Sequence, residues 1–141
     1  MAQIIVVGVD GSETAMTAAR TAARLAAGMR ADLRVVTAYE RGDGEGVVAI
    51  GNDRWLVSDS AGAEALAKEI AAELGETAPE ITFAAIPGKP HEVLIDEAER
   101  LGAKLIVVGN RRMQGLGRVL GSVANTVTHH APCDVYVAKT V

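Results

Sequence analysis

The chain of 141 residues is poor in cysteine, in aromatic residues and in positive charge. Its single cysteine, Cys133, excludes an internal disulfide and fits a reducing, cytoplasmic setting. Aromatic residues make up only 3%, so the core has to be assembled from Val, Ile, Leu and Ala. No apolar run approaches the roughly 20 residues of a membrane span. The opening stretch Gln3-Ile4-Ile5-Val6-Val7 lacks a basic flank and is too short for a secretory leader. Basic residues number 14 against 18 acidic ones, for a net charge of −4. A general nucleic-acid binder is usually basic, so neither nucleic acid nor membrane is an expected partner.

What is present is an ordinary globular composition, 49% apolar and 23% charged. The length predicts one domain over residues 1–141, large enough to fold without a disulfide or metal staple. Charge is unevenly spread. From Lys104 onward the basic residues are Lys104, Arg111, Arg112, Arg118 and Lys139, against the lone acid Asp134, while the remaining chain is acidic. A small cationic region on an acidic protein suits a small anionic ligand better than a polymer.

Hydrophobic periodicity alternates along the chain. Gln3 to Val9 is a continuous β-branched run and predicts a strand buried on both faces. Asp10-Gly11-Ser12 interrupts it, and Glu13 to Met29 carries Ala15, Ala19, Ala22 and Ala26 at helical spacing, with Ser12 as N-cap. Leu33 to Tyr39 predicts a second strand. Arg41 to Ser58, with Gly42, Gly44, Gly46 and Gly51, reads as a long mobile connection. Ser58 to Leu74 predicts a helix, Ile81 to Ile86 a strand, and His91 to Leu101 a helix introduced by Pro90. Lys104 to Val108 predicts a buried strand, Gly121 to His130 a last helix, and Asp134 to Lys139 a fifth strand. This alternation is the pattern of an α/β protein: an open, doubly wound, five-stranded parallel sheet with helices on both faces. In such sheets ligands sit at the carboxyl ends of strands, where the order reverses. Strand order 3-2-1-4-5 makes strands 1 and 4 neighbours there, bringing Asp10-Gly11-Ser12 beside Gly109–Ser122.

The segment Gly109 to Ser122 runs from a strand end to a helix start. A helix N-terminus offers unpaired N–H groups and a positive dipole end to phosphate. Gly121 permits close approach, and Ser122 is either a hydroxyl donor to phosphate or the N-cap. No lysine precedes the serine, so the segment is not a P-loop. The adjacent His129 and His130 lack the i,i+4 spacing of a metal pair, His91 reads as exposed surface, and Cys133 reads as a small buried hydrophobe. No catalytic residue and no metal site is expected.

Val-Gly-Val-Asp-Gly-Ser at 7–12, Val-Val-Gly-Asn at 107–110, and Gly-Ser-Val-Ala-Asn-Thr-Val at 121–127 followed by His-His-Ala-Pro-Cys-Asp-Val resemble the universal stress protein family. The resemblance spans essentially the whole chain. It implies an adenine nucleotide alpha hydrolase-like fold and a cytoplasmic homodimer through the fifth strand. It also implies a regulatory role in the stress response, with turnover absent or as slow as a weak ATPase. The ligand implied is ATP or another adenine nucleotide such as AMP or cyclic AMP, with Mg2+ as a companion ion. The alternative is a dimeric interaction module that does not bind ATP. The nucleotide-binding set that the resemblance implies is Gly8, Val9, Asp10, Ser12, Ala38, Val108, Gly109, Arg111, Arg112, Gly121, Ser122, Val123 and Ala124. Asp10 would accept from a ribose hydroxyl, and the Ala38 backbone would meet the adenine edge. The ATP-binding branch carries G-x2-G-x9-G-[ST]. Here Gly109 and Gly121-Ser122 match, Arg112 replaces the middle glycine, and the loop is one residue shorter. Arginine there offers phosphate a charged donor fork.

Overall fold

Runs of Val and Ile build the centre of the molecule, and alanine lets the helices approach it closely. The computed structural model describes residues 3–39, 48–50, 53–56, 60–75, 78–110 and 121–139. In chain order the elements are β1 (Ile4–Gly8), α1 (Glu13–Met29), β2 (Asp32–Tyr39), β3 (Val48–Ile50), β4 (Asp53–Leu56) and α2 (Ser60–Leu74). They continue with β5 (Ile81–Pro87), α3 (Pro90–Leu101), β6 (Leu105–Asn110), α4 (Ser122–His130) and β7 (Asp134–Lys139). Five strands form one parallel sheet in the order β5-β2-β1-β6-β7. Numbered among themselves, these are strands 3-2-1-4-5, the order expected from the sequence.

The central strand β1 has a neighbour on each side: Ile5 pairs with Leu33 and Leu105, and Val7 with Val35 and Val107. Alternate side chains serve opposite layers. Val7, Leu33, Val35 and Val107 pack with α1 and with Ala67, Ile70 and Leu74 of α2. Val6, Val36, Ile106 and Val108 pack with Val93, Leu94 and Ala98 of α3 and with Ala124 and Val127 of α4. The buried stripe of α1 is Ala15, Ala18, Ala19, Ala22, Ala23 and Ala26. Side chains this small bring the helix backbone close to the sheet, and among the described residues the only aromatic packed against this layer is the partly buried Phe83.

The structure corrects one part of the connection expected over 41–58: Val48–Ile50 and Asp53–Leu56 are strands that pair antiparallel, with Val48 opposite Leu56 and Ile50 opposite Asp53, while the rest of that stretch lies outside the described residues. Val47 to Ile50 and Trp55 to Val57 are short apolar runs, a strand signal that the surrounding glycines obscured. Strand β6 also runs to Asn110, two residues beyond its expected end, because Gly109 and Asn110 pair with Ala138 and Lys139 of β7. Among the described residues, no helix is long and apolar enough to cross a membrane.

Candidate functional site

The chain leaves β1 towards α1 on one face of the sheet and leaves β6 towards α4 on the other, which opens a crevice between the two strand ends. A cavity of about 390 Å³ occupies it, within the roughly 300–1,000 Å³ range of small-molecule sites. Of the residues singled out from sequence, Gly8, Val9, Asp10, Ser12, Ala38, Val108, Gly109, Gly121, Ser122, Val123 and Ala124 line this one cavity. Arg111 and Arg112 lie outside the described residues, as does Arg118. Sequence reasoning missed Thr14, Ala15, Val36, Pro90, Val93, Leu94 and Asn110 as lining residues. Val93 and Leu94 read only as a core stripe, and nothing in a helical period says that its upper end borders a crevice. Asn110 stood in the Val-Val-Gly-Asn motif, but no local signal told what its side chain would touch.

One wall is apolar, made by Val36, Ala38, Val93, Leu94 and Val108. Gly8 is part of that wall for a steric reason: a Cβ there would lie 3.0 Å from Leu94 Cδ1 and Cδ2. The opposite side is built from two helix starts with different chemistry. At α1, the turn needs Gly11 at φ 86, a left-handed conformation that glycine adopts without strain. Ser12 N–H donates to Asp10 Oδ1 at 3.0 Å, and Ser12 Oγ accepts from Ala15 N–H at 3.1 Å. This helix start is thus served by its own chain, and Ser12 is the N-cap as expected.

At α4 the cap is Gly121, which has no side chain to offer. Ser122 is the first helical residue, so its reading as N-cap is corrected. Gly121 O accepts from Asn125 N–H at 2.9 Å, the first bond of the helix. The N–H groups of Ser122, Val123 and Ala124 precede that bond and have no intrahelical acceptor. All three residues line the cavity.

Among the described lining residues, Asp10 is the sole ionisable side chain. No nucleophile–base pair is present among them, and no group of three His, Cys, Asp or Glu capable of holding a metal occurs among the described residues. His129 and His130 close α4 at its far end, their rings 6.5 Å apart. His91 is half-buried and not simply exposed surface, because it opens α3 against the body of the fold. Cys133 is likewise half-buried rather than buried, since it lies just before β7 at the sheet edge. Burial and the neighbouring Asp134 carboxylate push its thiol above the ordinary cysteine range, the opposite of activation.

A model of the universal stress protein family matches residues 1–139. A universal stress protein of Methanocaldococcus jannaschii is 33% identical over 140 residues, covering 96% of this chain and 81% of that protein. A solved universal stress protein in complex with cAMP superposes with a TM-score of 0.77 at 30% identity, covering 99% of this chain and 98% of the other. A universal stress protein from Archaeoglobus fulgidus in complex with dAMP shares the fold at 22% identity, with a TM-score of 0.72 and coverage of 99% and 98%.

Proposed function

This chain belongs to the universal stress protein family, and from that premise we propose that it is a regulatory protein binding an adenine nucleotide with one phosphate group. AMP and cyclic AMP fit this reading better than ATP. The observation that carries it is an apolar cleft ending on a helix start whose cap residue, Gly121, has no side chain to offer its first turn. Base and ribose would lie along Val36, Ala38, Val93, Leu94 and Val108, with Gly8, Val9 and Gly109 allowing close backbone approach. Asp10 would accept from a ribose hydroxyl. The phosphate would sit at α4, where the N–H groups of Ser122, Val123 and Ala124 and the Ser122 hydroxyl supply neutral donors. That donor set matches one phosphate. A triphosphate would lean on Arg111 and Arg112 for its remaining charge. The cAMP complex of the 30%-identical relative supports the choice.

Asp10, the one carboxylate among the described lining residues, would be the protein ligand to a companion Mg2+. Ligand occupancy would act by favouring one conformation over another, with little or no turnover. We read residues 1–141 as one cytoplasmic domain that pairs with a second copy through β7. Edge strands need a partner, and β7 is an edge of the sheet that also carries the exposed Tyr136.

Calorimetric titration of the full chain with adenosine, AMP, cyclic AMP, ATP and GMP tests the ligand. Tightest binding of AMP or cyclic AMP, with GMP excluded, is the expected result. Absence of binding to all five would return the protein to the alternative of a dimeric interaction module. Arg112→Gly should weaken ATP most, and less so at high salt, because the lost attraction is partly screened. Light scattering of the full chain at micromolar concentration tests the pairing: a dimer is expected, and a monomer would count against it.

A further inference from the structure

Asn110 is 2% exposed at the end of β6, among the most deeply buried side chains of the protein. A buried amide needs a partner to offset the loss of water. Its Oδ1 accepts the Gly121 N–H at 2.8 Å, across 11 positions of chain. Gly121 is the cap residue of α4, and its φ of −64 is open to any residue. What the position does restrict is volume, since a Cβ on Gly121 would lie 3.2 Å from Asn110 Oδ1. The glycine is therefore matched to the amide that reaches over it.

We infer that Asn110 is a positioning residue, a latch that holds the N-terminus of α4 in its phosphate-binding pose before any ligand arrives. This rests on the nucleotide reading above. The latch joins the two ends of residues 111–120 and ties together the strand end and the helix start that face each other across the cavity. Closing that span is a cost met in folding, so binding does not bear it again. The latch also engages one of the four unpaired N–H groups that every helix start carries and leaves three for the ligand. Asparagine suits the task because its oxygen is a neutral acceptor. Aspartate could hold the same N–H, but it would place a negative charge beside the anion.

The test compares wild type, Asn110→Ala and Asn110→Asp in two measurements. The first is hydrogen exchange of the Gly121 amide by NMR in the ligand-free protein. Gly121 should be protected in wild type and in Asn110→Asp, and should exchange at least tenfold faster in Asn110→Ala while the Val107 amide stays protected. The second is affinity for AMP and for adenosine. Asn110→Ala should lose roughly tenfold for AMP and less than twofold for adenosine. Asn110→Asp should lose AMP affinity to a degree that shrinks with salt, again sparing adenosine. Equal losses for both ligands, or unchanged AMP affinity, would reduce Asn110 to a general structural residue and overturn the inference. So would a Gly121 amide equally labile in all three proteins. Wild type that binds neither ligand overturns the nucleotide reading, and Gly121 exchange then decides the latch alone. If Asn110→Ala does not fold, Asn110→Asp decides through its AMP-to-adenosine ratio.

Discussion

Arg34 Nε donates to Glu97 Oε2 at 3.1 Å, a charged hydrogen bond that fastens α3 to β2 across 63 positions of chain. Glu97 is only 4% exposed, and its other oxygen receives Arg100 Nε and Nη2, both at 2.8 Å. Burial by itself would raise the carboxyl pKa. The hydrogen bonds from Arg100 and Arg34 outweigh burial and hold Glu97 below the ordinary glutamate range. A lowered folded-state pKa means stability that is present above the unfolded pKa and lost as pH falls through the folded one. Glu97→Gln should therefore destabilise the protein near neutral pH, by roughly 1–2 kcal/mol given that both arginines reach solvent. The difference from wild type should shrink in acid, below the glutamate range. Urea unfolding of both proteins at pH 7 and pH 3 checks this, and a difference independent of pH would count against it.

Thr37 presents a different case. It is 2% exposed on β2, and among the described residues its Oγ1 has no hydrogen-bond partner. An unsatisfied buried hydroxyl is a cost, and valine has nearly the same shape. Thr37→Val should fall between no change and a gain of about 1 kcal/mol, where removing a satisfied hydroxyl would lose stability. The urea midpoint, with an unchanged slope, is the readout.

Arg30 ends α1 in the left-handed region at φ 55, where its N–H bonds to Ala26 O and Ala27 O. The other described residues at positive φ are glycines. A side chain in this conformation is strained, and glycine is the residue that helix ends of this kind favour. Arg30→Gly should raise stability by about 0.5–1 kcal/mol, once the greater freedom of glycine in the unfolded chain is counted. A lower thermal midpoint than wild type would show that the Arg30 side chain contributes more than its backbone costs.

Ser122 separates ligand binding from folding. Because Gly121 is the cap, Ser122→Ala removes no capping bond and should leave unfolding within about 0.5 kcal/mol of wild type. Loss of a phosphate donor should weaken AMP by about 1–2 kcal/mol. If stability falls while affinity holds, the hydroxyl serves the helix and not the ligand.

Much of the site was legible because its backbone parts leave local marks. Asp10-Gly11-Ser12 interrupts an apolar run, and Gly121-Ser122 opens an amphipathic one, so both ends of the crevice could be placed once the strand order was inferred. Its apolar wall was hidden. Leu94 and Val36 carry the same hydrophobic signal whether they meet other core residues or border a cavity. The choice of cap at α4 was hidden too, since Gly121 and Ser122 are both acceptable caps and only the helix geometry separates them.

The sequence by itself determined the elements and their order. Hydrophobic period is a property of each segment, and right-handed crossovers leave few ways to lay five buried strands side by side. Tertiary structure decided the partnerships between distant side chains: Asn110 with Gly121, Arg34 with Glu97, Gly8 with Leu94. Each depends on where two separately formed elements finally come to rest, to within a few tenths of an ångström. A hydrogen bond or a van der Waals contact changes sign over that distance, whereas a hydrophobic pattern, which only requires burial, is indifferent to it.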